Sequence, residues 1–227
     1  MPLLQHLDLS YTSIMNLPIS FSKLIQLQKF YLRGCDLFME LPLEIGYLKN
    51  LEELDPNGTL ITHMPKKVGE LINLQSVSLD FDRYHYGNKE EQISNSIIPL
   101  SVISNLVQLN YLSINVDPDD ERWNENINCV LVEIFRFKKL RTVSIYVPNV
   151  ELLKMIPSTR SFNFKLIVGH HTRRFILRVT PELDKIFKHC DHSIKFVNGV
   201  NVPNEVKMNL RRFKALYLDR HMTIKSF

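Results

Sequence analysis

A chain of 227 residues with 44% apolar side chains is long enough for one domain with a sizeable core. It holds no apolar run of about 18 residues and no charged-then-apolar leader, which excludes a helical membrane span and argues against secretion. The net charge of +4 conceals a split, because residues 1–120 carry 8 Lys/Arg against 15 Asp/Glu while residues 121–227 carry 20 against 9.

The first element is a leucine lattice that returns every 23 or 24 residues. Leu4-x-x-Leu7-x-Leu9 recurs as Leu27-x-x-Phe30-x-Leu32, then with Leu51-x-x-Leu54 and Leu74-x-x-Val77-x-Leu79. An LxxLxL unit with this period predicts one short strand per repeat, stacked into a curved parallel sheet. One unit cannot bury its own apolar face, so the units must stack, and the stack presents a long concave surface. Alternation sends Leu4, Leu7 and Leu9 inward and leaves His6, Asp8 and Ser10 facing out.

Each strand is followed by a small residue, Thr12, Cys35 or Thr59, suited to turning the chain with a side-chain bond to nearby backbone. A return leg then opens at Leu17-Pro18, Leu41-Pro42, Met64-Pro65 and Ile98-Pro99. Proline fixes φ and offers no amide, so it belongs off the strand. Phe21/Leu24, Ile45/Leu48 and Val68/Leu71 follow at a spacing of three, predicting one apolar face of a short helical segment. One residue breaks the pattern: Pro56 takes a strand position that is normally apolar. It removes a ladder donor and should disturb pairing there by roughly 1–3 kcal/mol.

Beyond the fourth repeat the lattice loosens. Residues 80–97 read as a polar insertion, and loops of that length are commonly functional. Strand patterns return at Leu109-x-x-Leu112-x-Ile114 and Leu140-x-x-Val143-x-Ile145, around a second polar stretch from Asp117 to Asn128. Phe162 to Val168 and Phe175 to Val179 alternate without a clear repeat, and Phe213-x-x-Leu216-x-Leu218 resembles one degraded unit. The organisation expected is regular repeats over 1–114 and degenerate, basic repeats of the same solenoid over 115–227. With Met1 three residues before the first strand leucine and no polar cap at either end, the solenoid is expected to be incomplete at both.

Candidate chemistry is sparse. Cys35, Cys129 and Cys190 are odd in number and scattered, which fits a reducing compartment better than a disulfide frame. His189-Cys190-Asp191-His192 has metal-ligating residue types but lacks the second spaced pair of a structural zinc site, and it reads more simply as a polar turn. His170 to Arg174 could meet phosphate, yet no aromatic stacking platform adjoins it, so nucleic acid is not the expected partner. Glu90-Glu91 has no partnered base nearby, and no nucleophile–base–orienter set is visible. Asn57-Gly58-Thr59 matches a glycosylation acceptor, but Thr59 falls at the buried turn position. No enzyme activity, cofactor or metal is expected.

The concave face is the stronger candidate. Stacking aligns outward residues in columns: His6, Lys29, Glu53, Ser76, Tyr111 and Thr142; then Asp8, Tyr31, Asp55, Ser78, Ser113 and Ser144; then Ser10, Arg33, Asn57, Asp80, Asn115 and Tyr146. Charged, hydroxyl and Tyr side chains in clusters make interface anchors, although many such residues are merely solvated. The protein-binding set drawn from these columns is His6, Asp8, Lys29, Tyr31, Arg33, Glu53, Asp55, Tyr111 and Tyr146.

The stretches LDLSYTSIMNLPISFSKLIQL and ELPLEIGYLKNLEEL resemble the leucine-rich-repeat domain of plant intracellular immune receptors, the coiled-coil, nucleotide-binding disease-resistance class. Residues 1–114 carry that resemblance, with a weaker echo at Phe213 to His221; Ras-group leucine-rich-repeat scaffolds have similar repeats. The resemblance implies a cytoplasmic sensing and autoinhibitory module. Its partner would be a pathogen effector, a guarded host protein or the receptor's own nucleotide-binding domain. No GxxxxGK[ST] phosphate loop occurs, so nucleotide binding does not follow for this chain.

Overall fold

The computed structural model describes residues 3–81, 96–156, 163–169, 190, 192–197 and 214–218. Among them, nine parallel strands form one open sheet in chain order. They are β1 His6–Asp8, β2 Lys29–Tyr31, β3 Glu53–Asp55, β4 Ser76–Phe81, β5 Tyr111–Val116, β6 Thr142–Val147, β7 Asn163–Val168, β8 Ser193–Phe196 and β9 Ala215–Leu218. Register follows the leucine lattice, with Leu7, Phe30, Leu54, Val77, Leu112, Val143 and Phe164 paired across successive strands. A strict side-chain period of two leaves no other register that buries these residues together.

Return legs form where the prolines predict them. Three 3₁₀ turns, Ile19–Lys23, Leu43–Tyr47 and Lys66–Glu70, start directly after Pro18, Pro42 and Pro65. Helix α1, Leu100–Asn105, starts after Pro99. Proline is pre-set for a helical first turn and lacks an amide that would have no partner there. Phe21, Ile45, Val68 and Val102 are buried on the inner side of these segments. Neighbouring repeats are also stitched along one edge, where Asn50 Nδ2 donates to the Ile25 carbonyl at 2.9 Å and Asn73 Nδ2 to the Lys49 carbonyl at 2.8 Å.

The small turn residues bond backbone as expected. Thr12 Oγ1 donates to the Leu9 carbonyl at 2.7 Å and Thr59 Oγ1 to the Pro56 carbonyl at 2.8 Å. Cys35 Sγ reaches across to the Leu9 carbonyl at 3.0 Å. Leu27, Phe30 and Leu32 are fully buried, whereas Leu4, Leu7 and Leu9 are only partly so, because β1 has a repeat on one side alone.

Two sequence expectations change, and the disturbance expected from Pro56 falls on one side of its strand. The polar stretch from Asp117 leads into helix α2, Glu121–Ile134, which buries Trp123, Ile127, Val130, Leu131 and Ile134 along one side. The Asp120 carboxylate caps it by accepting from Arg122 N at 3.0 Å, the usual service of an aspartate at a helix start. The insertion does not begin at residue 80, since Asp80 and Phe81 complete β4 and Phe81 is buried; residues 82–95, with Glu90-Glu91, lie outside the described residues. Pro56 does not deform β3 itself, which has three residues like β1 and β2. Its effect falls between β3 and β4, whose pairing stops at Leu54 and Val77, while β4 pairs with β5 through to Phe81 and Val116.

Candidate functional site

The solvent-facing side of the sheet carries the expected columns. His6, Lys29, Glu53, Ser76, Tyr111 and Thr142 stand in register across β1 to β6. Asp8, Tyr31 and Asp55 align beside them, as do Ser78, Ser113 and Ser144. In the third column Asn115 Nδ2 donates to Asp80 Oδ1 at 2.9 Å.

Two cross-strand ion pairs organise the β2–β3 part of this face. Lys29 Nζ donates to Glu53 Oε1 at 2.5 Å, and Tyr31 donates its hydroxyl to Glu53 Oε2 at 2.5 Å. Arg33 Nε donates to Asp55 Oδ2 at 2.5 Å, while the Asn57 amide donates to Asp55 Oδ1 at 3.1 Å. The Arg33 guanidinium also lies 5.6 Å from the Tyr31 ring centroid, within reach of a cation–π contact. Asp55 is buried, yet Arg33 keeps 57% of its side chain exposed, so the cation remains available to a partner.

Protonation states follow from these contacts. Burial pushes Glu53 up, but the bonds from Lys29 and Tyr31 outweigh it and hold the carboxyl below its usual range. The bond to Glu53 raises Lys29, and burial with the same carboxylate raises the Tyr31 phenol. The cluster is therefore fixed at neutral pH as ammonium, carboxylate and neutral phenol. His6 and Asp8 are exposed on the edge strand, where Ser10 bonds the Asp8 carboxylate and lowers it.

Tyr31, Arg33, Glu53, Leu54, Asp55, Ser76, Ser78 and Tyr111 line one cleft of about 200 Å³. It lies over β3 and β4, between Tyr31 and Arg33 on one side and Tyr111 on the other. In the earlier repeats Leu9 N donates to the Tyr31 carbonyl at 2.9 Å and Leu32 N to the Asp55 carbonyl at 2.8 Å. The equivalent donor to the Ser78 carbonyl would be residue 56, and proline has no N–H. Pro56 is not among the residues that line the cleft.

Tyr146 departs from the expectation. It is 1% exposed, so it offers no surface to a partner. Burial is the main cause that raises its phenol, and the Asp119 and Asp117 carboxylates raise it further. Trp123 Nε1 of α2 donates to the Tyr146 carbonyl at 3.3 Å, locking helix to strand. Of the nine sequence-derived positions, Tyr31, Arg33, Glu53, Asp55 and Tyr111 line the cleft, Lys29 pairs from beside it, and His6 and Asp8 stand apart at the edge.

His170 to Arg174, His189 and Asp191 lie outside the described residues. Among the described residues no group of three or more His, Cys, Asp or Glu is placed to hold a metal ion. Nor is any described helix long and apolar enough to cross a membrane.

Strands contributed one per repeat, in chain order, with proline-started return legs, define a solenoid repeat protein. A family model described as a leucine-rich repeat region matches residues 1–185, and the chain belongs to that family. Domains of this kind generally serve as non-catalytic scaffolds for protein–protein contact. Among solved structures the chain is similar to an internalin, InlF, from Listeria monocytogenes, at 18% identity and a TM-score of 0.59. That match covers 97% of this chain and 56% of the internalin. A leucine-rich-repeat protein of Leptospira interrogans is matched at 16% identity and a TM-score of 0.42, over 96% of this chain and 62% of that one. The chain thus spans less than two thirds of either neighbour. No curated protein matches the chain significantly in sequence.

Proposed function

We propose that this chain is the recognition and regulatory module of a plant intracellular immune receptor. It works in the cytoplasm by binding and not by catalysis. The observation that carries the reading is the convergence of Tyr31, Arg33, Glu53, Asp55 and Tyr111 on one cleft of the open sheet face. Tyrosine and arginine beside a cleft are the residue types that dominate protein–protein binding energy. The receptor class is supported by the resemblance of residues 1–114 to that class, with proline-started return legs in each regular repeat. A module of this kind would hold a receptor closed through a polar interface, and a ligand preferring the open state would shift the population.

The test is co-expression in leaf tissue with a separate coiled-coil and nucleotide-binding fragment of a receptor of this class. The intact chain is expected to co-precipitate with that fragment and suppress its cell-death activity. Combined Tyr31→Ala, Arg33→Ala and Tyr111→Ala should abolish both while preserving the circular dichroism spectrum and melting temperature. If the triple variant binds unchanged, the cleft face is not the contact. If the intact chain neither binds nor suppresses, the immune reading fails and a signalling scaffold replaces it.

A further inference from the structure

We infer that the edge of the solenoid at the N-terminal ends of its strands is a docking surface for an anionic lipid membrane. Backbone bonds align this edge from repeat to repeat. Glu52 N donates to the Gln28 carbonyl, Gln75 N to that of Glu52, Asn110 N to that of Gln75 and Arg141 N to that of Asn110. Ahead of these five aligned residues, at a constant spacing, stand Ile25, Lys49, Ile72, Val107 and Lys138. Side chains tie the same positions together, since Asn50 and Asn73 bond the Ile25 and Lys49 carbonyls. Ile25, Ile72 and Val107 are 52%, 57% and 52% exposed. The leucines on either side of the last two, Leu71 and Leu74, Leu106 and Leu109, are buried, so the row itself is no part of the core.

Positive charge gathers at the far end of this row. Lys138, Lys139 and Arg141 are all exposed, on the turn that leads from α2 into β6. Among the described residues none of the three is in an ion pair, and Lys139 Nζ donates only to the neutral Gln108 side chain one repeat back. Cations that are paired add no net charge here: Lys49 is held by Glu70 at 2.8 Å and Arg136 by Glu133 at 2.6 Å. Glu52, the acid among the aligned residues, stands before β3 and away from this turn.

An anionic bilayer matches both features at once. Its headgroups attract Lys and Arg, each of which adds to binding near such a surface. Exposed aliphatic side chains gain apolar surroundings at the acyl boundary, while lysine stems lie along it with their ammonium groups in water. Protein interfaces favour aromatic anchors and are depleted of Lys. Nucleic acid would use the cations but leave Ile72 and Val107 without a role. Tyr31 and Arg33 stand at and beyond the C-terminal end of β2, so the concave cleft stays open with this edge on lipid.

The experiment co-sediments the full chain with mixed phosphatidylcholine–phosphatidylserine vesicles and with phosphatidylcholine vesicles, and measures its binding to duplex DNA. The mixed vesicles are expected to retain the chain at low salt and release it as salt rises, while phosphatidylcholine alone retains little. Combined Lys138→Gln, Lys139→Gln and Arg141→Gln should lower the partition coefficient by at least about tenfold. Ile72→Ser with Val107→Ser should lower it several-fold at unchanged charge. All five side chains are exposed, so the melting temperature should move by no more than a few degrees in either variant. Equal retention on both vesicles, or retention unchanged by either variant, overturns the membrane edge. Tighter capture of duplex DNA than of mixed vesicles, lost in the same triple variant, overturns it in favour of a nucleic-acid site.

Discussion

Gly34 lies beneath the ring of Tyr11: a Cβ built on Gly34 would come 2.7 Å from Tyr11 Cδ1. Both residues occupy the same place in successive repeats, two after the last strand leucine, and both have positive φ, 59° for Tyr11 and 64° for Gly34. Gly58 holds that place in the next repeat with φ 73°, and its Cβ would meet the Gly34 backbone N at 3.3 Å. Gly34→Ala and Gly58→Ala should each cost about 1–3 kcal/mol in denaturant unfolding, since a side chain is strained at such φ. The Gly34→Ala loss should shrink when Tyr11→Ala is added, because the exposed ring can be removed. No partner change relieves Gly58→Ala, whose clash is with backbone. Equal losses in single and double Gly34 variants would show that the ring contact has no energetic role.

Asp55 and Arg33 form one pair with unequal duties. Asp55 is buried and also receives the Asn57 amide, so Asp55→Ala removes a turn bond along with the ion pair. A loss of roughly 1–3 kcal/mol is expected from thermal unfolding. Arg33 is mostly exposed, and Arg33→Ala should stay within about 1 kcal/mol of the parent, as surface pairs do. Its deficit should appear in partner binding. A reversed order of stabilities would contradict the assigned roles.

Pro56→Ala supplies the amide that Leu9 and Leu32 use in the preceding repeats. The new N–H should bond the Ser78 carbonyl, extend pairing between β3 and β4, and add about 0.5–1.5 kcal/mol of stability. Hydrogen exchange at residue 56 reads this directly, through protection of the new amide.

On the return legs, Glu70 accepts Lys49 Nζ at 2.8 Å and Lys67 Nζ at 2.5 Å. These two bonds, in that order, hold its carboxyl down to about 2 from 4.5. A depressed carboxyl contributes stability that is fully present above its unfolded pKa and lost as pH falls through the folded one. The melting temperature should therefore fall between pH 4.5 and about 2 more steeply for the parent than for Glu70→Gln. Identical slopes would show that these exposed bonds are too well screened to matter.

Much of this molecule is legible in the chain. LxxLxL spacing dictates the register, because only one alignment buries Leu7, Phe30, Leu54 and Val77 together. Pro18, Pro42 and Pro65 mark where return legs begin, since each fixes φ and withholds an amide. The outward columns follow from the same period of two. These are local or repeating rules, and a repeat states them several times over.

What lies between repeats needed the tertiary structure. Tyr146 has an outward position by count, but it is buried in the folded chain. Trp123 and Ile127 fall inside the polar stretch from Asp117 to Asn128, and only the folded chain shows them buried with Val130, Leu131 and Ile134 along one side of a helix. Pro56 is visible in the sequence, whereas the cleft over β3 and β4 is a relation between strands. Whether a lost hydrogen bond becomes a gap or is absorbed depends on what Asp55, Ser78 and Tyr111 place around it. No periodicity encodes that arrangement, because side chains from four different repeats meet there only after stacking.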